Sequence, residues 1–203
     1  MLSGRRIVLT YNLVHTSLGL KELGPNSDRG MAKLRSLFSR WKNNIEKEPS
    51  LPTTLAFLFE HQYTDVSLCY NGLKGHDHQV AAHLRNVCIE YGFCFYLANL
   101  ERSVSGGCDE YYGYSRGHSA GFHDLIEEYD KQTSLKRIVE LDGSEVAQDL
   151  EFKEELFIQH EPFKGVEPDD EDYSGFTGNE GVSATHFYHR TVRNFQYPVL
   201  ACS

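Results

Sequence analysis

The run Phe93–Val104, FCFYLANLERSV, is apolar on both of its alternating faces, and that limits what the chain can fold into. Read as a strand, it sets Phe93, Phe95, Leu97 and Asn99 on one side and Cys94, Tyr96, Ala98 and Leu100 on the other. Such a strand belongs in the middle of a sheet with a layer over each face. A chain of 203 residues is long enough to supply those layers as one domain, or one and a half.

Two segments have the periodicity of covering helices. After the turn signal Gly24-Pro25-Asn26, with Ser27 or Asp28 as cap, Leu34, Leu37, Phe38, Trp41 and Ile45 recur at helical spacing. They predict an amphipathic helix over Asp28–Glu48 with a basic outer face, Trp41 in the core, and Pro49 and Pro52 ending it. Val80, Ala81, Leu84, Val87 and Cys88 predict a second helix over Asp77–Tyr91, capped by Gly92. Leu55–Glu60 reads as a short strand, and Ser105–Gly121, rich in Gly, Ser and Tyr, as a long surface loop. Phe122–Glu128 and Leu135–Leu141 read as paired strands, and Asp142-Gly143 as a hairpin turn leading into Glu145–Leu150. Glu154–Gln159 suits a short strand or a helical turn, and Thr185–Phe195 a strand or short helix. The fold class expected is α+β, a mixed sheet with two main helices.

Charge is unevenly spread. The net charge is −9, yet residues 1–50 carry a net +5 and residues 151–181 a net −8. Nucleic acid is therefore not the first partner to expect, although the basic part keeps it open. The longest apolar runs are strand-length, so no membrane span is expected. Five cysteines without a C-x-x-C pair suit reduced thiols, in the cytoplasm or nucleus, with Cys88 and Cys94 as small core residues.

The ten histidines raise the question of metal, and their spacing gives little support. His76-Asp77-His78 reads first as a surface turn and second as a helix entrance, where the two imidazoles diverge; His186 and His189 could share a face of a helix, and His118 and His123 lie in or beside the long loop. No histidine is followed two positions later by Asp or Glu, so the H-x-D/E half of a facial iron triad is absent. Acidic Glu167–Tyr173 reads as a loop opening into Gly175–Gly181, GFTGNEG, which lacks the Lys-Ser/Thr of a phosphate loop. No G-x-S-x-G elbow is present, and no thiol is singled out beside an imidazole. These residues name no catalytic or metal-binding group.

The opening stretch, Ser3–Val14 or SGRRIVLTYNLV, suggests chemistry. As a strand it places Ile7, Leu9, Tyr11 and Leu13 on one face and Arg6, Val8, Thr10 and Asn12 on the other. Arg6 either reaches solvent at the strand end or, half-buried, needs an anion to match its charge and fork of donors.

The blocks SGRRIVLTYNLV (3–14), LAFLFEHQYT (55–64), GLKGHDHQVAAHLR (72–85), GFCFYLANLE (92–101) and YSGFTGNEGVSATHFYHRT (173–191) resemble, in order, a fungal group of 2-oxoglutarate/Fe(II) oxygenase-like proteins of the prolyl 4-hydroxylase type. The resemblance implies that residues 1–20 are a late strand of a double-stranded β-helix, or jelly roll, with Arg6 binding 2-oxoglutarate and Thr10 and Asn12 facing the same pocket. It also implies that the Fe(II) ligands of the parent family precede Met1, so this chain alone is expected to bind neither group. Residues 21–50 would be a basic helix and linker, and residues 51–203 an α+β domain with an acidic loop at 167–173. After His189-Arg190-Thr191 the family resemblance calls for an aliphatic strand, whereas Arg193-Asn194 intervene. Two readings follow: the C-terminal portion of a dioxygenase-like protein, inactive alone, or a non-catalytic interaction or structural module. The expected partner is a protein, or a region preceding residue 1.

Overall fold

A computed structural model describes residues 25–108, 121–176 and 181–198. Arg6, Thr10 and Asn12, with the β-helix strand expected around them, lie outside the described residues, as do His118 and Cys202.

Helix α1 covers Pro25–Lys47 and α2 covers Gly75–Tyr91. The strands are β1 (Thr54–Leu58), β2 (Cys94–Cys108), β3 (Leu125–Val139), β4 (Glu145–Glu151), β5 (Asp170–Ser174) and β6 (Ser183–Gln196). They form one open antiparallel sheet in the order β1-β6-β2-β3-β4. β5 shares the β1 side of β6, pairing with its first half while β1 pairs with its last residues. The fold is thus the expected mixture of two helices and a sheet.

β2 is central, as its sequence requires. Phe95 and Leu97 join α1 and α2 in one core, with Phe38, Ile45, Ala81, Leu84, Val87 and Phe195. Ala98 and Leu100 face a second core, closed by Phe152, Phe157 and Phe163 from the segment 152–166. Leu97 and Ala98 are both fully buried, so a layer covers each side. Burying a leucine of this kind contributes roughly 2 kcal/mol.

Most helix signals hold. Gly92 takes a left-handed conformation (φ 77°) and donates its amide to the last carbonyls of α2. Trp41 stacks on Phe93 at 4.5 Å, half-buried, and donates Nε1–H to the Pro52 carbonyl. α1 starts earlier than the turn signal suggested, because proline fits a helix's first turn, where no intrahelical partner for its nitrogen is needed.

Four expectations are corrected. Ser105–Cys108 continues β2 instead of opening a loop; at Gly106 and Gly107 a side chain would collide with the Glu127 carbonyl and the Tyr129 hydroxyl, so glycine permits the strand to pass. Phe122–Glu128 and Leu135–Leu141 are not two strands: β3 runs unbroken through Thr133-Ser134, and register shifts that skip Tyr129 and Lys136 bend it without a turn. Acidic residues 170–174 form β5, not a loop. Cys94 is half-buried rather than core. The Asp142-Gly143 hairpin is present, with Gly143 at φ 92° and Asp142 accepting the Ser144 amide at 2.8 Å.

Candidate functional site

Beneath α1, the helix layer and the β1–β6 side of the sheet line an open-sided cavity of about 620 Å³. Its walls are mostly apolar, with Leu37, Trp41, Phe57, Leu84 and Phe195 among them; exposed Arg40, Asn44 and His76 also line it, and it takes in one buried charge, Arg193. The α1 stripe is wider than the core it covers, which leaves Leu37 59% exposed at this wall.

Arg193 sits in β6 directly opposite Phe57 of β1 and is only 3% exposed. Its guanidinium carbon lies 4.5 Å from the Phe57 ring centre and 4.7 Å from that of Phe59. Among the described residues no carboxylate forms an ion pair with it, and its Nε–H is buried without an acceptor. Burial pushes the guanidinium down to about 10, against the pull of Asp77, Glu60 and Tyr63, so it remains charged at neutral pH. Arg102, the other buried arginine, is paired with Glu154.

Asp77 lies behind this wall in the first turn of α2, with no exposure at all. Its Oδ1 accepts the Glu60 amide at 3.0 Å. Its Oδ2 accepts the His61 amide at 3.1 Å and the Tyr63 hydroxyl at 3.0 Å, and meets His61 Nδ1 at 2.9 Å. Burial alone would raise this carboxyl, but the donors from Glu60, His61 and Tyr63 outweigh it and hold the group below its ordinary value. Of the two readings of His76-Asp77-His78 the surface turn is corrected and the helix entrance holds: the tripeptide opens α2, and its middle residue is the buried anchor of the Glu60–Tyr63 turn.

Glu60, His61 and Asp77 bring one ligand atom each within 4.8 Å of one another. They do not fit a facial iron triad, which takes two imidazoles and one carboxylate. Only His61 supplies an imidazole, and the Asp77 oxygens already accept four hydrogen bonds.

A second cluster joins β5 to β6. Glu171 accepts the His123 amide at 2.9 Å, meets His123 Nδ1 at 2.9 Å, and meets His186 Nε2 at 3.2 Å. Burial would raise the Glu171 carboxyl, yet the His123 and His186 contacts keep it lowered. His123 stands beside the loop, as expected, in the irregular stretch before β3, yet it is 1% exposed and stacks on Tyr173 at 4.0 Å. His186 and His189 do not share a face: β6 is a strand, and the spacing of three sends one inward and the other outward.

None of the 2-oxoglutarate candidates, Arg6, Thr10 and Asn12, is among the described residues. Arg193 is not among the sequence-derived candidates, although Arg193-Asn194 stand out as a break in the aliphatic strand that the family resemblance implies. Asp77 had no comparable signal, because its partners, two backbone amides, the His61 imidazole and the Tyr63 hydroxyl, are all more than ten residues away. No family model matches the chain, and no curated protein or solved structure matches it.

Proposed function

We propose that residues 25–198 form a non-catalytic binding module of an oxygenase-like protein. The observation that carries this reading is the state of Asp77. In the group of described residues that comes nearest to a metal site, the buried carboxylate is saturated by donors that shape its own fold. The dioxygenase ancestry is supported by the five sequence blocks, above all SGRRIVLTYNLV, in which Arg6, with Thr10 and Asn12, would bind 2-oxoglutarate. The Fe(II) of such an enzyme would need an H-x-D/E pair, which this sequence does not contain. Free thiols at Cys69, Cys88 and Cys94 support a cytoplasmic or nuclear location. No helix among the described residues is long and apolar enough to cross a membrane.

Incubating the full chain with Fe(II), 2-oxoglutarate and O2 tests this. Succinate at the level of a buffer blank is expected. Succinate above the blank that disappears in Arg6→Ala would overturn the non-catalytic reading.

A further inference from the structure

A buried guanidinium without a carboxylate in ion-pair contact is costly, since its charge has left water with ring faces and only more distant acidic groups in return. Arg193 stands in that situation at the wall of a cavity whose other walls are mostly apolar. An anion arriving from outside would remove the cost, and the chemistry of the site restricts which anion. One guanidinium balances one negative charge, and Asp77 and Glu60 lie close enough to Arg193 to act on its charge, so a doubly charged head would meet repulsion. A planar carboxylate matches the fork of N–H donors. Besides Arg193 the polar lining residues are Arg40, Asn44 and His76, all solvent-exposed, and the rest of the wall, from Leu37 and Trp41 to Phe195, is apolar, which suits an apolar ligand body. A volume of about 620 Å³ lies within the ordinary range of small-molecule sites, about 300–1,000 Å³.

We propose that this cavity binds an elongated apolar molecule ending in a single carboxylate, with Arg193 holding the carboxylate and the α1–β1 wall holding the chain. The proposal rests on the reading of this region as a binding module. Trp41, the chain's single tryptophan, lines the cavity and reports on occupancy.

The test titrates the full chain with dodecanoate, 1-dodecanol and dodecyl phosphate, following Trp41 fluorescence and thermal unfolding below the micellar range. Dodecanoate is expected to bind about ten-fold more tightly than dodecanol, the equivalent of one charge-assisted hydrogen-bond pair, and more tightly than dodecyl phosphate at a pH where that head is doubly charged. Arg193→Met is expected to melt no lower than the parent and to bind dodecanoate and dodecanol alike. Leu37→Asp, on an exposed position of the wall that holds the chain, is expected to weaken dodecanoate and dodecanol alike, about ten-fold, with the preference for the acid kept.

Equal affinity for acid and alcohol in the parent would overturn the proposal. So would a silent Trp41, the result if residues 1–24 of the chain fill the cavity, an unchanged preference in Arg193→Met, or unchanged affinity for both ligands in Leu37→Asp. Succinate formation would overturn the non-catalytic reading without altering these binding curves, and loss of the dodecanoate preference would leave the turnover assay where it stands.

Discussion

Tyr63 donates its hydroxyl hydrogen to Asp77 across 3.0 Å and accepts the Lys74 amide at 2.9 Å with the same oxygen. Lys74 is the residue before α2 and offers no side-chain cap, so the phenol takes over part of the capping from another segment. Burial raises the phenol to about 12, which keeps it protonated and able to donate.

This arrangement makes stability depend on acid. Asp77 and Asp169 have folded pKa values below the ordinary aspartate value: for each, burial alone would raise it and the donors around it prevail. A carboxyl lowered in the folded state contributes stability that is fully present above its unfolded pKa, about 4, and is lost as pH falls through the folded value. Urea midpoints should therefore hold steady between neutral and mildly acidic pH, as far as these groups decide it, and drop below about pH 4. Asp77→Asn should cost about 3 kcal/mol at pH 7 and flatten the acid limb, since it removes the charge that four donors face. An acid limb as steep in the variant as in the parent would count against this.

The crossing of β2 and β3 gives a second prediction. Gly106 pairs with Glu128, and a methyl group at Gly106 would overlap the Glu127 carbonyl, which is backbone and cannot swing aside. Gly106→Ala should destabilise by about 1–3 kcal/mol. Amide exchange should rise at 103–108 and 125–131 before it rises in α2, and uniform loss of protection over the whole chain would contradict a local clash.

A third concerns the segment over the second core. Glu154 accepts from Arg102 Nε, lies 3.2 Å from Thr133 Oγ1 and 4.0 Å from Lys131 Nζ, while Arg102 rests over the rings of Phe163 and Tyr188. Glu154→Gln leaves Arg102 buried without its counter-charge and should cost about 3 kcal/mol. Trypsin should then cut after Lys153 or Lys164 sooner than in the parent, and unchanged cleavage there would remove the case for Glu154 as the clasp of this segment.

The parts of the fold legible in the sequence are those written in apolar periodicity. Phe38 and Ile45, Ala81 and Leu84, and the two faces around Leu97 and Ala98 were all placed by spacing alone, because burial of such stripes dominates local choice. The polar stretch 129–134 between the two expected strands misled because polar residues suit a turn and a solvent-facing strand equally well, and only pairing, as of Thr133 with Arg102 and Ser134 with Glu101, decides. Asp169 and Glu171 misled in the same way: acidity suggested solvent, whereas Asp169 takes the His189 amide and Arg190, and Glu171 takes His123 and His186. Of the candidate site, the apolar walls were visible as helix and strand faces. The state of Arg193 was not, since what matters about it is the absence of a carboxylate beside it among the described residues, and local sequence carries no record of that.

β6 is hydrogen-bonded to β1, β2 and β5, all of which precede it in the chain. During synthesis each of those three strands must leave the ribosome with an open edge and wait for the segment that closes it. Pairings of such long range form slowly, and the exposed edges invite other chains in the meantime. Yield in a cell should thus respond to growth temperature and to chaperone supply more than the melting point of the finished molecule would suggest.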